Sequence, residues 1–83
     1  MEKTIEKTSE TVHPGLILKK VLETRLMNTE DLARLSKYDS EHFKKIIRGD
    51  NDIDQNTSQE LERLLSIESS FWLMKQKDYN TIH

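Results

Sequence analysis

The stretch EDLARLSKYDSEHFKKIIRGD, residues Glu30–Asp50, carries two short groups of apolar residues separated by a polar break. Leu32 and Leu35 lie before the break at helical spacing, and we expect both side chains to point inward. After the break, the apolar positions repeat at i, i+3 and i+4, as on one face of a helix: Phe43, Ile46 and Ile47. The stretch therefore predicts two short helices joined by a tight turn.

The second of these helices has clear end signals. Asp39 or Ser40 can accept a hydrogen bond from the first free N–H groups, so either residue suits the N-cap. Gly49 can end the helix because glycine tolerates the left-handed backbone conformation. On a helical wheel, the side opposite the apolar stripe holds polar and charged residues: Ser40, Glu41, Lys44, Lys45 and Arg48. This pattern suits a helix that enters a DNA groove, and it is also found on solvated helices of small bundles.

Charge is sorted by region along the chain. The sequence has 13 Lys and Arg against 15 Asp and Glu, and this net charge of -2 alone argues against nucleic acid as a partner. From Arg34 to Arg48, however, five basic residues stand against two acidic ones, a local balance of 5 - 2 = +3. An acidic block, Asp50 to Glu62, follows directly. The protein therefore presents a basic and an acidic region that can serve different partners.

The flanking sequence predicts three further helices. The first begins at His13-Pro14, because proline suits a first helical turn and keeps the preceding residue extended. Its apolar positions are Ile17, Leu18, Val21, Leu22 and Leu26. Asn28 or Thr29 caps the short helix that follows. Beyond the loop residue Ile53, Asp54 caps a fourth helix with apolar positions at Leu61, Leu64 and Leu65, and a fifth helix carries Phe71, Trp72, Met74 and Tyr79.

These elements predict an all-α fold of five short helices in one domain over residues 13–83. Residues 1–12 are charged and polar apart from isolated apolar side chains such as Ile5, so we predict a flexible charged tail there. A domain of this size has a small core, which makes a homodimer a reasonable expectation. Trp72 and Phe71 are expected in that core or in the dimer interface.

Several functional classes are excluded by the residues that the chain lacks. There is no cysteine and no glycine-rich phosphate loop, and the three histidines are dispersed, so we expect no enzyme activity, no metal and no cofactor. No apolar run reaches the roughly 18 residues of a membrane span, and the first residues lack the apolar middle of a signal peptide. We therefore expect a cytoplasmic protein with no membrane partner.

The order of several short motifs resembles a known family. HPG at residue 13, ILKKVLE, EDLARL, IIRG and above all FWLMKQKDY together resemble the HigA/VapI-type antitoxins of the Xre-like helix-turn-helix superfamily. The resemblance extends from His13 to Asn80. It implies a lambda-repressor-like helix-turn-helix domain that binds operator DNA as a dimer, represses its own operon, and neutralises a HigB-like toxin that cleaves mRNA.

The resemblance also implies roles for individual residues. Ser40, Glu41 and Lys45 would face bases, and Lys44 would lie at the edge of the contact. Thr29 and Arg48, near helix ends, would approach phosphates. Lys45 can donate to guanine, whereas the Glu41 carboxylate can accept from the N4 amino group of cytosine. His42, beside this face, is expected at the solvated surface, with a phosphate contact as the second possibility.

Two anions in this region leave a second function open. Asp39 stands where the family usually has Ser or Thr, and Glu41 adds a further negative charge near the DNA. The alternative is a helix-turn-helix module with little DNA affinity that only captures a toxin or another protein. Because HigB-like toxins are generally basic, both the acidic block Asp50 to Glu62 and the charged tail are predicted docking surfaces.

Overall fold

A computed structural model of the chain describes residues 12–82, and in that range it consists of five α-helices without strands. They are α1 Pro14–Thr24, α2 Thr29–Leu35, α3 Ser40–Ile47, α4 Gln55–Leu65 and α5 Ser69–Ile82. The all-α prediction and the count of five helices are confirmed. The predicted tail, residues 1–12, lies outside the described residues except for Val12.

Side-chain caps begin four of the helices. Asn28, and not Thr29, caps α2: its side chain accepts from the Asp31 N–H, and the Asp31 carboxylate accepts from the Asn28 N–H. Asp39 caps α3 by accepting from the N–H of His42, and Asp54 caps α4 in the same way at Thr57. These short bonds satisfy N–H groups that have no partner within the helix.

His13 caps α1 with its imidazole. The backbone of His13 is extended, and Pro14 occupies the first helical position, as the sequence predicted. The His13 Nδ1 atom accepts a hydrogen bond of 2.9 Å from the N–H of Gly15. Because Nδ1 is the acceptor, the proton of the neutral ring lies on Nε2.

The helices α1 and α3 end in the same way but with different residues. After α3, the N–H of Asp50 donates to the Lys45 carbonyl across the left-handed Gly49, whose φ is 84°. After α1, the N–H of Met27 donates to the Leu22 carbonyl across Leu26, which is also left-handed at φ 57°. The prediction that Leu26 is one of the apolar positions of this helix is therefore wrong: the helix ends at Thr24, and the Leu26 side chain is 92% exposed.

Within the described residues, nine buried apolar side chains form the core: Leu18, Leu22, Leu32, Phe43, Ile46, Ile53, Leu61, Leu65 and Trp72. Phe43, Ile46 and Trp72 are fully inaccessible to solvent, and Ile53 anchors the loop between α3 and α4. Leu35 was expected to point inward but is exposed, because it is the last residue of α2 and lies beyond the core. Met74 on α5 is exposed as well.

The helices α1 and α3 approach each other closely at Gly15. A Cβ atom at this position would lie 1.9 Å from the carbonyl oxygen of Ile46, a distance that no side chain can accept. The first turn of α1 therefore rests directly on the backbone of α3 near its C-terminal end. This contact fixes where α3 lies on the rest of the domain.

Candidate nucleic-acid interface

The outward face of α3 holds the five residues that the wheel placed there. Glu41, Lys45 and Arg48 are exposed, whereas Ser40 and Lys44 are half-buried. Opposite them lie the buried Phe43 and Ile46. The packing of α3 thus leaves one continuous polar face, called here the α3 outer face, for contact with a partner.

Three of the six predicted DNA-contacting residues meet at one depression. A hollow of about 320 Å³ lies where α1 faces the helix pair α2 and α3, and Thr29, Lys44 and Arg48 line it. Lys19 of α1 lines it too. Lys19 was not among the predicted residues, because its exposed position on α1 does not reveal from sequence that α1 lies beside this hollow. Ser40, Glu41 and Lys45 do not line it.

Lys44 is paired across the two helices of the motif. Its Nζ lies 3.1 Å from the Glu30 Oε2 in the first turn of α2. This partner lowers the pKa of the Glu30 carboxyl below its ordinary value. Both side chains are about half exposed, so the pair is in exchange with solvent and contributes little to stability.

Arg48 is held by two carboxylates. Its Nε donates to the Asp50 Oδ2 at 3.1 Å, and its Nη2 donates to the Glu41 Oε2 at 3.2 Å. These anions, Asp50 first, raise the pKa of Arg48 above its ordinary value. The guanidinium therefore joins the start of α3 to the turn that follows it.

Lys45 differs from these two cations. Among the residues that the structure describes, no carboxylate lies within ion-pair distance of its ammonium group. Lys45 is exposed on the α3 outer face, and its charge is not neutralised by the fold. Of the predicted DNA-contacting cations, it is the one that can meet an external anion without breaking a bond.

His42 has a structural role that was not expected from the sequence. Its ring stacks on Tyr38 with centroids 4.0 Å apart, and its Nε2 lies 3.0 Å from the Thr57 Oγ1. The side chain is half-buried between the turn before α3 and the first turn of α4. The expectation of a solvated surface histidine is wrong, because Thr57 is fully buried and draws the ring inward.

Most carboxylates of the acidic block serve the fold. Asp54 caps α4, and its hydrogen bond with Thr57 lowers the pKa of this carboxyl. Glu60 binds Arg63 at 2.8 Å, Asp50 binds Arg48, and Glu62 accepts from the N–H of Ser69. Asp52, 64% exposed and 3.9 Å from the His13 Nε2, is the most weakly held of the group.

Solved structures with this arrangement of helices include the Pseudomonas aeruginosa antitoxin HigA with the higBA promoter. The two chains align at TM-score 0.82 and 26% sequence identity, over 87% of this chain and 79% of that chain. The chain has the Xre-like helix-turn-helix fold of HigA-type antitoxins. A Coxiella burnetii addiction module antidote protein of a HigA family is similar at TM-score 0.78 and 25% identity, covering 86% and 78% of the two chains.

The structure of Pseudomonas aeruginosa PA4674 in complex with its operator DNA matches at TM-score 0.80 and 27% identity over 84% of this chain and 76% of that chain. No protein-family model matches the sequence, and no curated protein is similar to it at a significant level. The HigA-type likeness is thus carried by the structures, over most of both chains.

The glutamine of the C-terminal motif, Gln76, makes a buried hydrogen bond to the loop before α4. The Gln76 Oε1 accepts a hydrogen bond of 2.8 Å from the N–H of Ile53, and the Gln76 Nε2 donates to the Asn80 Oδ1. Gln76 is only 5% exposed, and Trp72 one turn earlier is fully buried. Gln76 belongs to the FWLMKQKDY motif, but its partner Ile53 is not apparent from the sequence because the two residues are 23 positions apart.

No group of three or more His, Cys, Asp or Glu side chains within residues 12–82 is placed to hold a metal ion. In the same range, none of the helices has the length and apolar character needed to cross a membrane.

Proposed function

We propose that the protein is the DNA-binding antitoxin of a type II toxin-antitoxin module, a non-enzymatic repressor of its own operon. The observation that carries the proposal is the α3 outer face with an unpaired Lys45, in a fold that HigA-type proteins solved with promoter or operator DNA share. A helix with one buried and one polar face can lie in the major groove while nearby groups contact phosphates.

The six residues named from the sequence divide by geometry in this proposal. Ser40, Glu41 and Lys45 are available to base edges. Thr29 and Lys44 line the hollow beside the helix pair and are available to the DNA backbone. Arg48 lines the same hollow but is held by Glu41 and Asp50. A single α3 offers few base contacts, so two copies in successive major grooves, as in a homodimer, give the specificity that a repressor needs.

The proposed protein partner is a HigB-like toxin. The support is the kinship of fold with HigA-type antitoxins and the acidic character of the region between α3 and α4. Within that region, Asp52 is the carboxylate best placed to meet a basic toxin, since it is largely exposed and has no cap to maintain. Exchange of Asp52 for lysine therefore tests this surface without loss of the α4 cap, and unchanged toxin affinity would exclude it.

The DNA part of the proposal is tested by fluorescence anisotropy with the chain's own upstream DNA and a scrambled duplex, over about 50 to 200 mM salt. We expect selective binding that weakens steeply with salt. Lys45→Glu is expected to weaken operator binding about 10- to 100-fold, since it removes a donor and adds a repulsive charge. Lys77→Glu, an equal charge change at an exposed position of α5, is the matched control and is expected to bind normally.

A second candidate function has its own observation. Lys44 is paired with Glu30, and Arg48 with Glu41 and Asp50, so much of the basic character of α3 is neutralised within the fold. This favours a module that holds only a protein. Weak, unselective binding to both duplexes, unchanged by Lys45→Glu, would establish this candidate and overturn the first.

A further inference from the structure

We propose that Arg48 is a positioning residue that fixes Glu41 for the recognition of one base pair, and that it does not contact a DNA phosphate. The proposal rests on the proposed DNA-binding function and names the chemical group that Glu41 recognises. That group is an exocyclic amino group in the major groove, that of cytosine in preference to adenine.

The geometry of Arg48 favours this role. Side chains on a helix lean toward its N-terminus, so Arg48 at the end of α3 can reach back along the seven residues, about 10.5 Å of helix, that separate it from Glu41. Its Nη2 contacts the Glu41 Oε2, while its Nε is anchored on Asp50 in the turn after α3. The turn is itself closed by backbone hydrogen bonds that the N–H groups of Gly49, Asp50 and Asn51 donate to carbonyls of α3.

The charges of this triad disfavour a phosphate at Arg48. Glu41 and Asp50 together carry two negative charges against the single positive charge of Arg48. A phosphate that took the guanidinium would leave one of the carboxylates unpaired near DNA, which is unfavourable. If Arg48 stays with its partners, the repulsion between Glu41 and DNA is reduced.

Glu41 keeps one oxygen for recognition. Only its Oε2 is used by Arg48, and the Oε1 has no hydrogen-bond partner within residues 12–82. Glu41 lies in the first turn of an exposed helix face, the part of a recognition helix that contacts base edges. An oriented carboxylate there can accept from cytosine N4 but repels the acceptor atoms of guanine.

The test is selection of preferred duplexes from a pool with 20 randomised base pairs, by the full chain and its variants. We expect the wild type to prefer cytosine at one position of each half-site by roughly 5- to 150-fold. Glu41→Ala should lose this preference. Glu41→Gln should shift it toward adenine, because glutamine pairs with adenine N6 and N7.

Arg48→Met separates a positioning role from a phosphate contact. If Arg48 positions Glu41, the variant loses preference at the same base pair as Glu41→Ala, and it has no further effect on base preference in a Glu41→Ala background. If Arg48 contacts a phosphate instead, the variant keeps the wild-type preference at this base pair, weakens binding to all sequences alike and lowers the salt slope by about 0.9. The second result would overturn the proposal.

Failure of the inference and failure of the proposed function are distinguishable. A wild-type protein that selects no sequence from the pool would contradict DNA recognition itself. A wild type that selects a clear sequence, retained unchanged in Glu41→Ala, would contradict only the role of Glu41 and Arg48. Lys77→Met serves as the control variant, and its selected sequence should equal that of the wild type.

Discussion

The two sides of α3 are held in very different ways. The inner side is fixed by Phe43 and Ile46, both inaccessible to solvent, and by the Ile46 carbonyl that lies against Gly15. The outer side is arranged by ion pairs between half-exposed groups, such as Lys44 with Glu30. Core contacts of this kind contribute several kcal/mol each, whereas exposed ion pairs contribute about 0 to 1 kcal/mol. The position of α3 is therefore strongly specified, and the residues of the α3 outer face can change without unfolding the domain.

The largest effect is expected from Gly15→Ala. In an exposed helix this exchange would stabilise by up to about 1 kcal/mol, because alanine is the better helix former. Here the new Cβ would overlap the Ile46 carbonyl, so α1 and α3 must separate. We expect a loss of about 3 kcal/mol or more in the free energy of unfolding, measured by urea denaturation followed by circular dichroism.

Gly49→Ala is the matched control for Gly15. At Gly49 an added Cβ has open space, but φ is 84°, so the cost is conformational and should be about 1 to 2 kcal/mol. A Gly15→Ala variant that is as stable as the wild type would show that α1 does not fix α3 by close contact.

The next largest effect is expected at Gln76. Gln76→Leu removes the acceptor for the buried N–H of Ile53, and an unsatisfied buried donor costs about 1 to 3 kcal/mol. Thermal and urea unfolding should both report this loss. Asn80→Ala removes only the second, partly exposed bond of the Gln76 side chain and should change stability by less than about 0.5 kcal/mol. Equal losses in both variants would refute the assignment of the cost to the Ile53 N–H.

Whether an interaction could be predicted from the sequence depends on how far apart its two residues lie along the chain. Caps and helix stops depend on residues two to five positions apart, and the predictions at Asp54 and Gly49 are confirmed. The inner stripe of α3 also follows from local periodicity. Contacts between distant residues were not predictable, and His42 with Thr57 is an example, 15 positions apart.

The candidate site shows the same limit. The wheel predicted which residues share the outer face, because that follows from helical geometry alone. It could not predict that Arg48 turns to Glu41 and Asp50, since a long exposed side chain has many rotamers and the turn after α3 decides between them. Leu26 was misplaced for a related reason: only the geometry of the helix end shows that the chain reverses there.

A smaller effect, specific to pH, is expected at His13. Burial lowers the pKa of His13 below its ordinary value, although Asp52 opposes the shift. The unfolded chain therefore binds more protons than the folded one between the folded pKa and about 6.5, and stability falls as pH drops through that window. His13→Asn retains a side-chain acceptor for the Gly15 N–H but cannot titrate. The free energy of unfolding, measured from about pH 7.5 to about pH 5 to span this window, should fall less steeply with decreasing pH in the variant than in the wild type.

The same pH experiment has an internal control at the acidic caps. The pKa of Asp54 is lowered by its hydrogen bond to Thr57, so the stability from this cap is present above the ordinary aspartate pKa and is lost at lower pH. With the measurement extended to about pH 3, Asp54→Asn should therefore change the curve below about pH 4.5 and leave the histidine window unchanged. A His13→Asn curve parallel to the wild type throughout would contradict a buried, neutral His13.

The smallest effect on stability is expected from Glu30→Gln, which should mainly change the salt dependence of DNA binding. The pair with Lys44 is exposed, so its loss should change Tm by no more than about 3 °C. Under the proposed function, the freed Lys44 can meet a phosphate, and operator affinity at low salt should rise with a salt slope steeper by up to about 0.9. Glu23→Gln makes the same charge change at another residue that lines the hollow but does not pair with Lys44. It therefore separates a local release of Lys44 from a general gain of positive charge. Equal gains of operator affinity in both variants would show that net charge alone acts on DNA. A large loss of stability in Glu30→Gln would mean that the outer side of α3 is fixed as firmly as the inner one.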